Sequence, residues 1–137
     1  MDVDSFLQAL HALEERHDPA PLLALFAPTA EVWSPRYAAP LRGPEGVAQF
    51  WRDYRAAFRE VRTVPLTIIQ EALRAAVEWT ATGTTAETGR RLTYQGATIL
   101  EWRGNRLQRL ASYFDARLFL PVPPHVEPVV RPLTPPR

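Results

Sequence analysis

The sequence predicts an α+β fold in which helices precede a curved, mostly antiparallel sheet. Two observations carry this. Up to about residue 58 the apolar residues recur at helical spacing, and beyond it the period moves from 3.6 towards 2. The links between the later, alternating segments are short, which joins neighbouring strands as antiparallel hairpins. Segregated helices and strands of this kind belong to the α+β class. Helices laid across one face of such a sheet would enclose an apolar cavity.

The elements follow in order. Val3, Phe6, Leu7, Leu10 and Leu13 share one helical face, with Asp2 or Asp4 available as N-cap and an end expected near His17. Asp18-Pro19 is a fresh N-cap followed by proline at the first helical position, so "APLLALF" is expected to be a short helix with Pro28 beyond its end. "AEVWS" is a short strand stopped by Pro35. Three prolines and a glycine make residues 35–44 a loop. The next helix carries Val47, Phe50, Trp51, Tyr54 and Phe58 as one apolar stripe. "RTVPLTIIQEA", "LRAAVEWTATGTT", "RLTYQGATILEWR" and "NRLQRLASYFD" then alternate as strands of a meander.

A chain of 137 residues is the length of one domain able to bury a real core. Residues 1–120 are expected to form it. Residues 121–137, with seven prolines, form a tail that cannot extend a sheet. Pro132, Pro135 and Arg137 match a short peptide-ligand pattern, but a tail lying along the domain or a partner is the ordinary reading. The net charge of +1 gives no global field for nucleic acid or anionic membrane. Arg52, Arg55 and Arg59 form one helical edge interspersed with acids, which is a solvated face. No cysteine is present, so disulfides and thiolate chemistry are excluded. His11, His17 and His125 lack metal-ligand spacing, and no glycine-rich phosphate loop occurs, so neither metal nor cofactor is expected. The N-terminus lacks the charge order of a signal peptide, and no apolar run approaches a membrane span. A cytoplasmic protein without membrane or nucleic-acid partners is the expectation.

Aromatic residues are the positive signal. Tyr54, Trp79 and Phe114 can point inward, and Tyr37 lies on a loop that would rim a mouth. Ser34 and Ser112 supply a few hydroxyls. A recess lined this way suits a flat apolar or aromatic molecule. In "SYFDARLF", Asp115 stands among aromatics. Alternation puts Leu110, Ser112 and Phe114 on one face of the last strand, and Ala111, Tyr113 and Asp115 on the other. Asp115 is therefore either a cap for the "ARLF" turn or, if the strand's end turns it inward, a catalytic acid/base with its pKa raised by burial.

Three stretches, "HDPAPLLALFAPTAEVWSP", "LRGPEGVAQFW" and "GATILEWRGNRLQRLASYFD", give the chain from about Phe6 to Phe119 a resemblance to the SnoaL-like branch of the nuclear-transport-factor-2-like superfamily. The resemblance implies a cone-shaped α+β barrel with a deep pocket, commonly a homodimer formed through the sheet. Its members include isomerases, cyclases, epoxide-hydrolase-like enzymes and non-catalytic binding domains, so fold leaves function open. In the ketosteroid-isomerase pattern the proton-shuttling base falls on Ser34, the oxyanion tyrosine near Leu10 and the buried acid near Ala97. None of these can do that chemistry. In the epoxide-hydrolase pattern the acid and arginine positions hold Trp79-Thr80-Ala81 and Ser112. A polyketide-cyclase-like reaction needs only one acid/base, for which Asp115 is the candidate. The resulting pocket set is Leu10, Ser34, Tyr37, Tyr54, Trp79, Ala97, Ile99, Leu110, Ser112 and Phe114. The expected activity is binding of a small hydrophobic or aromatic molecule by a homodimer. An enzyme using Asp115 is one alternative. A protein-assembly module, which an exposed Trp102 would support, is the other.

Overall fold

The computed structural model describes residues 2–119. Helix α1 (Val3–Arg16) begins where the Asp2 carboxylate accepts the Ser5 amide, and it ends at His17, whose left-handed backbone closes the last turn onto Ala12 and Leu13. Helix α2 is a single turn (Ala20–Leu23). Strands β1 (Phe26–Trp33) and β2 (Leu41–Arg42) precede α3 (Gly43–Ala56). The meander is β3 (Phe58–Gln70), β4 (Arg74–Thr85), β5 (Arg91–Arg103) and β6 (Arg106–Tyr113), followed by a 3-10 turn over Ala116–Phe119.

One six-stranded sheet runs in the order β2-β1-β6-β5-β4-β3. All neighbours are antiparallel except β1 and β6, which run parallel. Three helices pack against this curved sheet, the arrangement expected from the sequence.

Three local departures have physical causes. The second helix is shorter than expected and β1 starts at Phe26. Pro28 lies inside that strand, where the pairing with β6 is irregular between Phe26 and Glu31, so its missing N–H costs no ladder bond. The loop 35–44 contains the short β2, which pairs Leu41 and Arg42 with the edge of β1. Phe58 opens β3 instead of closing α3, although it stays buried against Tyr54 and Tyr94. Pro65 is tolerated inside β3 because that strand is an edge and bulges between Pro65 and Thr67.

The core lies between the concave face of the sheet and α1 and α3. Leu22, Leu100, Leu107 and Leu110 are fully buried, each worth about 1.5–3 kcal/mol of transfer free energy. Trp102 also belongs to this core, at 6 % exposure, so it offers nothing to an assembly surface. Its burial follows from sharing the inward face of β5 with Leu100.

Cross-strand register fixes the convex face. Ile69, Ala76, Ile99, Ala111 and Trp33 form one outward row across five strands, and Tyr113 packs on Trp33 with ring centroids 5.4 Å apart. Beside it runs a row of alternating charge: Arg74, Glu101, Arg109, Glu31 and Arg42. Within that row Arg109 and Glu101 pair at 2.6 Å.

Candidate functional site

Inward alternation on the meander builds one wall of a cavity. Thr63, Ala81 and Tyr94 form one cross-strand row, Trp79 and Gly96 the next, and Val77, Thr98 and Ser112 a third. Phe6, Leu7 and Leu10 of α1 and Phe50, Trp51 and Tyr54 of α3 form the opposite wall. Ser34, Arg36, Tyr37, Phe58, Phe114 and Phe119 complete the lining. Gly96 is required here. A β-carbon on it would stand 2.5 Å from the Trp79 ring and closer still to the Tyr113 carbonyl oxygen, so glycine is what lets the indole lie across β5.

The rings brace one another. Trp79 meets Tyr94 edge-on at 5.4 Å, and Tyr94 meets Phe114 at 5.7 Å and Phe119 at 5.3 Å, distances at which such pairs add to area burial. Arg36 lies over the Phe119 ring, 5.2 Å from its centroid. The open space amounts to about 60 Å³. An apolar cavity of about 150 Å³ takes up benzene, so a ring enters this smaller space only as lining side chains move apart.

The polar groups fall into two sets. Trp79 donates its indole N–H to the Thr98 hydroxyl at 2.9 Å, and that hydroxyl is 2.7 Å from the Ser112 hydroxyl. The second set centres on Glu14, 3 % exposed near the end of α1. Its carboxylate accepts the Thr63 amide at 3.0 Å, the Thr63 hydroxyl at 2.6 Å and the Tyr54 hydroxyl at 2.7 Å. Two of the cavity's lining residues are thus held by a carboxylate behind the wall. Burial, with the Glu14 charge beside it, pushes the Tyr54 phenol well above its ordinary range, so Tyr54 remains a neutral donor. Burial raises Tyr94 as well; Glu14 adds to that rise, and Arg36 opposes it. The Tyr94 hydroxyl has no hydrogen-bond partner among the described residues.

Seven of the expected pocket residues line this cavity: Leu10, Ser34, Tyr37, Tyr54, Trp79, Ser112 and Phe114. Ala97 and Ile99 do not. They point outward, because Thr98 and Leu100 hold the inward positions of β5, and a slip of one residue moves a side chain to the other face. Leu110 points inward but is sealed in the core away from the opening. Asp115 stands outside the lining. Its carboxylate accepts the Arg117 amide at 3.0 Å and pairs with the Arg117 guanidinium at 2.8 Å, capping the 3-10 turn that carries Phe119. The Arg117 contacts hold it below the ordinary carboxylate range, the reverse of the shift that suits an acid/base near neutral pH. Tyr37 belongs to the rim, where its hydroxyl donates to Asp53 at 2.6 Å.

Glu14, Thr63 and Tyr94 were missed from the sequence. The signal for Glu14 was available: it lies four residues after Leu10 and seven after Leu7, on the apolar stripe of α1, where an acid must find buried donors.

A cone of helices and curved sheet closing around an aromatic cavity defines a class of small α+β proteins. The match to the family model of the SnoaL-like domain spans residues 5–110, and the chain belongs to that family. Solved structures share the fold. TerC, co-crystallised with polyporic acid, is 20 % identical, with a TM-score of 0.72 over 85 % of this chain and 93 % of its own. A nuclear-transport-factor-2-like protein of unknown function from Burkholderia pseudomallei K96243 is 24 % identical, with a TM-score of 0.71 over 82 % of this chain and 87 % of that one. Another from Exiguobacterium sp. 255-15 is 18 % identical, with a TM-score of 0.69 over 83 % and 98 %. No curated protein matches the chain. Among the described residues no helix is long and apolar enough to cross a membrane.

Proposed function

We propose that this SnoaL-like domain binds a small, flat, largely apolar molecule in the cavity between α1, α3 and the concave sheet. The observation that carries the reading is the lining: aromatic and aliphatic walls with hydroxyls at Ser34, Thr63, Tyr94, Thr98 and Ser112. Catalysis by two converging acids finds no support. The one buried carboxylate among the described residues, Glu14, already accepts three hydrogen bonds and reaches the cavity only through Tyr54 and Thr63. Asp115, bonded to Arg117 outside the lining, does not favour the single-carboxylate reaction either. That a protein of similar fold was co-crystallised with polyporic acid supports a small-molecule role.

The working form is proposed to be a homodimer in the cytoplasm. The convex row from Ile69 to Trp33 would form the centre of the interface, since Ile69 is 63 % and Tyr113 47 % exposed in one protomer. The adjacent charged row alternates in sign and can pair with its own copy across a two-fold axis.

Native mass spectrometry of the protein purified from its own host tests the binding reading. A dimer carrying a noncovalent small-molecule adduct that is lost on denaturation is expected. Protein that is uniformly unliganded, and that takes up no molecule from an extract of the host, would overturn it.

A further inference from the structure

The cavity lining is electrostatically lopsided, and this gives the chemistry of the molecule; the inference rests on the small-molecule reading above. Arg36 is the one formally charged side chain among the described lining residues. Six other arginines hold a carboxylate: Arg42, Arg62, Arg74, Arg91, Arg109 and Arg117. Arg36 has no ion pair or side-chain hydrogen bond among the described residues. It rests on the Phe119 ring instead, at the place where the cavity meets a neighbouring groove.

A guanidinium held against a ring keeps its N–H edges available for a planar oxyanion. Deeper in the wall the polarity reverses. Behind Tyr54 and Thr63 lies the Glu14 carboxylate, which disfavours an anion on that side. Tyr94 feels both charges, and its unpartnered hydroxyl is a donor for a ligand oxygen. Trp79, Tyr94 and Phe114 offer ring faces and edges between the two charges.

We propose that the cavity selects an aromatic acid in its anionic form, the ring packed among Trp79, Tyr94 and Phe114 and the carboxylate paired with Arg36 at the mouth. Neutral molecules of the same shape enter but are held less tightly.

Benzoate and benzamide are the probes, being nearly isosteric and differing in charge. Binding is followed by the Trp79 indole N–H resonance in a ¹⁵N-labelled sample, assigned by its loss in Trp79→Phe. Benzoate is expected to saturate the shift at roughly tenfold lower concentration than benzamide, the size of one charge-assisted hydrogen bond. In Arg36→Gln the advantage of benzoate over benzamide should disappear. The advantage should also shrink as salt rises. Equal binding in the parent protein, or a preference that survives Arg36→Gln, would overturn the assignment of charge while leaving the small-molecule reading standing. Failure of both probes to move the Trp79 resonance would overturn this proposal, while the small-molecule reading stands or falls on the native mass spectrum. Unshifted Trp33 and Trp51 indole signals in Arg36→Gln show that the variant is folded.

Discussion

Glu14→Leu removes a buried acceptor while keeping much of its volume. Three donors face the carboxylate: the Thr63 amide, the Thr63 hydroxyl and the Tyr54 hydroxyl. The two hydroxyls lie 3.3 Å apart and can bond each other, so one of them finds a new partner. The amide and the other hydroxyl cannot, and each orphaned buried donor costs about 1–3 kcal/mol. Relief from burying a carboxylate offsets part of this. The net loss expected is about 2–3 kcal/mol. With a urea m-value of about 2 kcal/mol/M, the midpoint should fall by roughly 1–1.5 M. Glu14→Gln keeps one acceptor oxygen and should lose only about 1 kcal/mol. Tyr54→Phe should cost about 1 kcal/mol alone and almost nothing when combined with Glu14→Leu, because its acceptor is already gone. Urea unfolding of the parent, the three single variants and the double variant at neutral pH decides the matter. A Glu14→Leu protein within about 0.5 kcal/mol of the parent would refute the claim that this carboxylate organises the wall.

Gly96→Ala must push the Trp79 ring off β5, so a loss of at least about 2 kcal/mol and a shifted Trp79 indole resonance are expected; an unshifted resonance would contradict the packing. Ile99→Arg places a charge in the centre of the convex apolar row and should give monomer by analytical ultracentrifugation, with monomer stability unchanged; a persistent dimer would move the interface elsewhere. The Asp115 carboxyl is held below its ordinary value of 3.8, so whatever it contributes is complete above that value and is lost as pH falls through the lowered folded-state value. Carboxyl carbon shifts should show this, and Arg117→Gln should return the titration towards 3.8; identical curves would remove the ion pair from the account.

Much of the architecture was legible because it is periodic. The stripes of α1 and α3 and the alternation of β4, β5 and β6 placed the cavity walls, and with them Leu10, Tyr54, Trp79, Ser112 and Phe114. Illegible parts depended on register and on irregular backbone. Ala97 and Ile99 were misplaced by the single-residue step that separates the two faces of β5. Pro28 and Phe58 misled because a break in the register between β1 and β6 admits a proline and a helix end can pass directly into a strand. Glu14 went unseen because pattern reading weighs apolar residues on a stripe and ignores a lone acid there. Its donors, Thr63 and Tyr54, come from two other elements and meet it only in three dimensions. Asp115 stayed open in the sequence between a cap and an inward-turned acid/base, because the end of a strand can turn either way; its contacts with Arg117 put it in the cap.

The most direct test of the central claim is the native mass spectrum of Ser112→Phe beside the parent, both purified from the host. The new ring would take the room that lining side chains open to a ligand beside Thr98 and Trp79, without touching the convex face. The parent should carry its adduct and the variant should be an empty dimer with the same fold. An adduct retained at equal occupancy by Ser112→Phe would place the molecule elsewhere and contradict the assignment of this cavity as its seat.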